Sequence, residues 1–388
     1  MANGVEVRGN TVRVYFRWQG ELCRERLPGT ASDKNIAHAK RLATIINYEI
    51  ESGTFDYARH FPESPRLHKN QFGYYLDLWL AIKENELAFS SFRGIKSKAE
   101  THVRPKWGEV QAESIDHIEL QDWIQNDLAK RLANKTIKEI VSIMRQTFRL
   151  YATRNKTIFD PTHGITIRLP DDEDPDPFTR SEIAKILEAP TKRVQELNLI
   201  KFALFDGPRI SEAQALAWED VLDVEKGIIR YRRAVVRSRF KVTKTKRSTR
   251  VHHLLKPARE ALQEQYALTG KLPARVYEVV DRDNRTVRKE KLRLVFLNSR
   301  NNQPFYENAI RERFWKTHLK KAGVRYRGPN QCRHTFISQL LSLGVVPLHW
   351  IAGHVGHATI TMIQRRYGKW IRSDGPDIPA LIEKQLEL

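Results

Sequence analysis

Two arginines, an asparagine, a histidine and a tyrosine in the C-terminal half are of the types that can act together on one phosphate group. Arg209 opens an expected helix after Asp206-Gly207-Pro208. Arg333 lies three positions beyond Asn330, so the two share a helix face if Pro329 starts that helix. His357 follows Gly356, and Tyr367 comes ten residues later on the next expected helix. Two guanidiniums can clamp non-bridging phosphate oxygens with charge-assisted hydrogen bonds, each worth about 1.5–3 kcal/mol. A tyrosine can form a covalent phosphoester, but its free pKa of about 10 leaves it a poor nucleophile until its surroundings help. Each residue also has a structural use on its own: Arg209 as an ion-pair partner, His357 as a satisfied core histidine, Tyr367 as a packing residue. The spacing permits the constellation and does not require it.

A second feature is charge. Residues 230–250 hold ten Lys or Arg and no acid, with Val and Thr interleaved in the manner of a hairpin. A stiff basic hairpin without acidic partners of its own favours phosphate contact, and Arg237, Arg239, Lys241, Lys246 and Arg247 are its candidate DNA contacts. Backbone contacts of this kind cannot identify a base sequence. The whole chain agrees, with 67 Lys plus Arg against 46 Asp plus Glu and a net charge of +21, which points to a polyanionic partner.

The remaining composition bounds the class. At about 150 residues per domain, 388 residues make two or three domains. No run of about 18 apolar residues offers a membrane span, and residues 1–10 lack the apolar core of a secretory signal. Cys23 and Cys332 are too few and too far apart for a disulfide framework or a cysteine-rich zinc module. No Walker loop and no convincing metal-ligand cluster is present. A soluble, cytoplasmic protein is expected.

Three segments must position these residues. In residues 1–65, Val12, Val14, Phe16 and Trp18 alternate with polar neighbours, as in a half-buried strand, and turn signals on both sides predict a three-stranded meander. Ile36, Ala39, Ala43, Ile46 and Ile50 predict a helix capped by Ser32 or Asp33 and stopped by Gly53. Residues 66–170 read as a helical bundle, with apolar stripes that include Phe72, Tyr75, Leu76, Trp79 and Ile82, then Ile115, Ile118, Trp123 and Leu128, then Ile137 through Tyr151. Residues 171–177 are acidic and twice interrupted by proline, which makes a linker. Thr179-Arg180-Ser181-Glu182 matches a capping box and opens residues 178–388, a mixed and mainly helical α/β domain. Strands are expected at 227–233, 234–242 and 249–254, with a hairpin around 244–247. The fold class is thus multi-domain α+β.

Four ordered boxes carry a resemblance. Gly207-Pro208-Arg209-Ile210-Ser211-Glu212 resembles the first arginine box of the tyrosine recombinases, the phage integrase family. Lys244-Thr245-Lys246-Arg247-Ser248-Thr249-Arg250 is similar to that family's Lys-Thr-x-x-Ser-x-Arg hairpin, and Asn330-Gln331-Cys332-Arg333-His334 to its His-x-x-Arg-His box. Val355-Gly356-His357 and Tyr367-Gly368-Lys369-Trp370 look like its closing boxes. The first two segments resemble, by arrangement, the arm-site-binding and core-binding domains of lambda-type integrases.

The resemblance implies roles. Tyr367 would attack a scissile phosphodiester, leaving a 3′-phosphotyrosyl link and a free 5′-hydroxyl, with no need for ATP, metal or cofactor. Arg209 and Arg333 would bind the non-bridging oxygens, Lys244 would protonate the leaving 5′-oxygen, and His357 would hydrogen-bond the phosphate or assist the tyrosine. Glu212 would orient Arg209 or cap its helix, and His354 competes with His357 for the Gly-His place. Asn330 stands where the family usually has histidine; its amide can donate a hydrogen bond but cannot carry a proton on and off. Implied partners are double-stranded DNA attachment sites, three further copies in a tetramer, a host DNA-bending protein and an excisionase, in the nucleoid of a bacterial host. The tail from 371 to 388 would dock on a neighbouring protomer or pack on its own domain. A type IB topoisomerase-like nicking-closing enzyme and a DNA-binding protein with a decayed site are the alternatives.

Overall fold

The structure is a computed structural model describing residues 4–18, 20–62, 64, 70–170, 175–243, 248–305, 308–357, 359–361, 363 and 364. The chain divides into two compact units, one of Met1–Glu84 with Ser91–Pro170 and the other of Asn85–Ser90 with Asp171–Leu388.

The first unit begins with β1 (Gly4–Arg8), β2 (Thr11–Trp18) and β3 (Glu21–Arg26), an antiparallel meander in that order. The alternation in β2 does what period two requires: Val12, Val14 and Phe16 are fully buried while Arg17 is exposed. Against that apolar row lies α1 (Asp33–Glu51), through Ala39, Ala43 and Ile46. Ser32 is its N-cap, its side chain accepting from the Asn35 amide, so the expected cap is the serine. The helical part includes α2 (Phe72–Glu86) and α3 (Asn134–Asn155). Ile137, Ile140, Val141, Met144, Phe148 and Tyr151 bury one stripe of α3, as their spacing predicts. Two members of the expected stripes face solvent instead, Ile82 at 44% and Ile118 at 77% exposure. Ile82 lies two positions after buried Leu80 and Ile118 two before buried Leu120, and two steps of about 100° carry a side chain to the opposite face.

The second unit is mixed. Thr179 caps α4 (Arg180–Glu188) in a reciprocal capping box with Glu182, as the motif predicts. Then come α5 (Val194–Asp206), α6 (Ile210–Gln214), β4 (Val221–Asp223), β5 (Ile228–Tyr231), β6 (Arg233–Val236), β7 (Arg239–Val242), β8 (Arg250–His253), α7 (Lys256–Thr269), β9 (Arg275–Val280), β10 (Val287–Leu292), α8 (Gln331–Ser342) and α9 (Leu348–Val355). Strands β4-β5-β8 form one antiparallel sheet, and β10-β9-β7-β6 form another in which β7 and β9 run parallel. The single strand expected over 234–242 is two strands. Arg237 and Ser238 both take positive φ, 49° and 62°, and turn the chain back so that Val235 pairs with Phe240. That pair of left-handed residues is a tight hairpin turn without the Asn-Gly signal by which such turns are read from sequence. The core of this unit packs Phe178, Leu199, Phe202, Phe296 and Trp315, each fully buried. A satellite cluster of Phe336, Ile337, Leu340, Ile351 and Val355 joins α8 to α9.

Candidate active site

The first arginine is set by a helix end. Helix α5 stops at Asp206 because Gly207 turns left-handed, with φ of 67°, and a Cβ there would collide with the Phe336 ring. Only glycine satisfies both conditions. Two residues later Arg209 is the N-cap of α6, and Glu212 sits at its third position. The Glu212 carboxylate accepts from the Arg209 amide at 3.2 Å and from Arg209 Nη1 at 2.8 Å. It therefore both caps the helix and orients the guanidinium, the two uses the sequence offers. Arg209 keeps 43% of its side chain exposed while Glu212 keeps 3%.

The second arginine is locked to the box that holds the first. Arg333, in the first turn of α8, is buried, and its Nη1 donates to the Gly207 carbonyl at 2.9 Å. One hydrogen bond thus joins two boxes that are 126 residues apart. Asn330 is the N-cap residue of α8, exposed, with no side-chain capping bond.

Helix α9 ends the same way as α5. Gly356 has φ of 72°, and a Cβ on it would come within 3.0 Å of Arg250 Nη1. His357 follows, its amide bound to the Ala352 carbonyl at 2.9 Å. Its imidazole is buried, and Nδ1 finds no hydrogen-bond partner among the described residues. Burial, and then the charges of Arg333, Arg209, His334 and Arg250, push its pKa down from 6.5 to about 3. At neutral pH His357 is therefore a neutral donor-acceptor, with the positive charges of Arg333, Arg209 and Arg250 acting on it. Glu212 is the counter-charge to two of these arginines: besides Arg209, Arg250 Nη2 donates to it at 3.2 Å. Burial alone would raise the Glu212 pKa, but Arg250, Arg209 and Arg333 outweigh it and hold the carboxylate ionised. The arrangement is a cluster of guanidiniums in which one fixed carboxylate, Glu212, is shared by Arg209 and Arg250.

The Phage integrase family matches residues 177–370, and the Arm DNA-binding domain matches residues 2–65. Prophage integrase IntR of Escherichia coli (strain K12) is 32% identical over 414 aligned residues, covering 100% of this chain and 99% of its own length. The chain belongs to the phage integrase family. Among solved structures, a Tn1549 transposon integrase in complex with transposon right end DNA superposes with a TM-score of 0.63 at 17% identity, over 82% of this chain and 100% of that one. A lambda integrase tetramer bound to a Holliday junction gives 0.58 at 13% identity, over 93% and 97%. At such identities the likeness is one of fold. The protein is a tyrosine recombinase by family, and its α+β architecture is that of integrases.

For this integrase-family chain, several expectations fall differently in space. His354, the competitor for the Gly-His place, points away into the protein. Its Nε2 lies 3.1 Å from Asp206 Oδ1, the same oxygen that His252 Nε2 approaches at 2.7 Å, and the Tyr231 hydroxyl donates to Oδ2 at 2.7 Å. The ligand-capable atoms of Asp206, His252 and His354 lie within 4.8 Å of one another. Each contact has hydrogen-bond geometry, so the cluster is a buried polar knot tying α5, β5, β8 and α9 together. Burial opposes the Asp206 charge, but His252 and then His354 reverse the balance and keep its pKa below the usual carboxylate range. No spacing rule signals this knot, because its members are dispersed in sequence and only topology assembles them. The same holds for Arg250, whose Nε donates to the His354 carbonyl at 2.7 Å.

The basic run requires a correction. It has no acid of its own, but tertiary folding brings acids to it. Arg232 and Arg233 bind Asp220, Arg233 also binds Glu290 at 2.7 Å, and Arg250 binds Glu212. Arg233 is 1% exposed and is a core ion-pair member. Of the proposed DNA contacts, Arg237 and Arg239 are at the β6–β7 turn and both exposed, and Lys241 is half-buried on β7. Lys244, Lys246, Arg247 and Tyr367 lie outside the described residues, as do residues 171–174 of the linker and the tail 371–388. Asp176 at the linker's end is ion-paired with Arg325 and Arg327. No helix among the described residues is long and apolar enough to cross a membrane.

The depressed His357 pKa has a measurable sign. The fold favours the neutral ring, so nothing is gained or lost above pH 6.5. Below that, the unfolded chain takes up a proton that the folded site refuses, and a penalty grows as pH falls toward 3. On going from pH 8 to pH 5, the stability of His357→Gln relative to the parent is expected to improve by on the order of 1–2 kcal/mol. Urea unfolding at the two pH values measures it. An identical difference at both would mean that the imidazole is not held neutral.

Proposed function

We propose that the chain is a site-specific integrase that inserts and excises a phage or other mobile element through a 3′-phosphotyrosyl intermediate and a Holliday junction. The observation that carries this reading is that the fold gathers three arginines: Glu212 binds both Arg209 and Arg250, and Arg333 binds the carbonyl of Gly207, two residues before Arg209. Arg209 and Arg333 would hold the two non-bridging oxygens, where charge builds in the transition state. Tyr367 would attack phosphorus while Lys244 gives its proton to the departing 5′-oxygen. His357 would hydrogen-bond the phosphate, and the Asn330 amide would donate a further bond. Because the phosphotyrosyl ester conserves the energy of the broken bond, attack by a 5′-hydroxyl reseals the strand. Asn330 cannot relay a proton, which gives the decayed DNA-binding reading its one support.

The domain roles follow the same reading. Residues 1–65 would bind arm-type sites and residues 66–170 core sites, with 171–177 as linker and 178–388 as the catalytic domain. Four copies would assemble on paired attachment sites within the nucleoid, with a host bending protein and an excisionase setting direction. The tetramer on a Holliday junction formed by lambda integrase supports the assembly.

The test is covalent trapping on nicked fragments of the DNA flanking the protein's own gene. A protease-sensitive adduct under denaturing conditions supports the reading. Binding to a fragment that competes over bulk DNA, with no adduct on any fragment even after adding host extract, would favour the decayed alternative. Binding should also depend steeply on salt, with log K falling about 0.9 per neutralised phosphate. Arg237→Ala is expected to weaken binding to all sequences alike and reduce that slope by about one. A loss confined to one sequence would reveal base reading by Arg237.

A further inference from the structure

The turn between β9 and β10 is stiff and carries one arginine that reaches out of it. Asp281 N donates to the Thr286 carbonyl at 2.8 Å. The Asp283 carboxylate accepts from the amides of Arg285 and Thr286 at 3.0 and 2.9 Å and from the Thr286 hydroxyl at 2.5 Å, the pattern of an Asx turn. Arg288 pairs with Asp281 at 2.8 Å. From this turn Arg282 extends to Thr243, which follows β7, and Thr249, which precedes β8. Its Nε donates to the Thr243 carbonyl at 3.1 Å and its Nη2 to Thr249 Oγ1 at 3.3 Å, while the two threonine hydroxyls bond each other at 2.9 Å. Beneath the contact, β7 pairs in parallel with β9, Phe240 opposite Val279 and Lys241 opposite Val280.

Thr243 and Thr249 flank residues 244–247, the part of the sequence that holds Lys244. A single planar guanidinium therefore ties both ends of the Lys244 segment to a rigid hairpin. A fork of fixed donors suits this task better than a flexible ammonium would. We propose that Arg282 is a positioning residue for proton delivery to the leaving group. It holds Thr243 and Thr249, described residues on either side of 244–247. The inference rests on the reading of Lys244 as proton donor. In the step concerned, Tyr367 Oη bonds to phosphorus and its proton passes to solvent. The P–O5′ bond breaks with its electron pair on O5′, and that oxygen takes a proton from Lys244 Nζ. A misplacement of about 1 Å in such a group costs about 10²-fold in rate.

The experiment compares cleavage of core-site DNA carrying a natural 5′-oxygen leaving group with the same DNA carrying a bridging 5′-sulfur, whose thiolate departs without a proton. Full-length wild type, Arg282→Ala, Thr249→Val and Lys244→Ala are used, with thermal melting and DNA affinity measured alongside. Arg282→Ala is expected to cleave the oxygen substrate about 10- to 10²-fold more slowly than wild type and the sulfur substrate within about threefold of it. Thr249→Val, which keeps the side-chain shape, should show the same pattern at smaller size and serves if Arg282→Ala does not fold. Equal slowing on both substrates, or no slowing on oxygen, would overturn the role of Arg282. If Lys244→Ala is slow on both substrates while Arg282→Ala is rescued by sulfur, the brace stands and the proton donor is another residue of 244–247.

Discussion

Tyr367→Phe is expected to abolish the covalent protein–DNA adduct and with it all recombination, while leaving DNA affinity within about twofold of the parent. Removing one hydroxyl changes little in size or charge, so binding, which rests on cations, survives. Where a covalent nucleophile is deleted from an enzyme, about 10⁶-fold in kcat is lost and only electrostatic and binding contributions remain. Denaturing gels of labelled nicked DNA read the adduct directly, and gel shifts read the affinity. Recombination at the wild-type rate by the phenylalanine variant would assign the nucleophile to another residue.

The second large effect belongs to Arg333. It is buried, it sits beside neutral His357, and one of its nitrogens is already spent on the Gly207 carbonyl. Arg333→Lys preserves the charge but would have to reach Gly207 and a phosphate oxygen from a single nitrogen, because an ammonium has no planar fork with separated donors. Cleavage is expected to slow by about 10²–10³-fold, the usual consequence of deleting one preorganised donor at a developing charge. Arg209→Lys should cost less, since Arg209 is half-exposed and its main partner is Glu212 at its own helix start. Single-turnover cleavage at saturating protein separates this from weaker binding. Equal losses in the two lysine variants would show that the Gly207 bond contributes nothing to the geometry.

Much of the fold was legible because its signals are local. The period-two run from Val12 to Phe16, the α3 stripe from Ile137 to Tyr151 and the Thr179–Glu182 capping box each specify backbone through neighbours within a few residues. What escaped was of two kinds. Ile82 and Ile118 are apolar yet exposed, since spacing along the chain groups apolar residues without recording which face the helix turns to the core. The turn at Arg237–Ser238 bends two residues that carry no turn signature, held there by the pairing of β6 with β7 and of β7 with β9. Tertiary hydrogen bonding overrides local preference in such strands.

The candidate site divides the same way. Sequence by itself determined the chemical inventory, because Arg209, Lys244, Arg333, His357 and Tyr367 stand in ordered boxes, and a box is a short stretch of chain. It also determined the net charge of +21 and so the polyanionic partner. Only the tertiary structure decided which cations remain available. Arg232, Arg233 and Arg250 look identical to Arg237 in the sequence, yet Asp220, Glu290 and Glu212 arrive from distant segments to pair with them. Only the tertiary structure gave His357 its neutral state, through burial among Arg333, Arg209, His334 and Arg250, and only it tied Asp206 to Tyr231, His252 and His354. The physical reason is common to all of these. Side-chain identity is a property of a position, whereas desolvation and Coulomb interaction depend on distances that no spacing along the chain records.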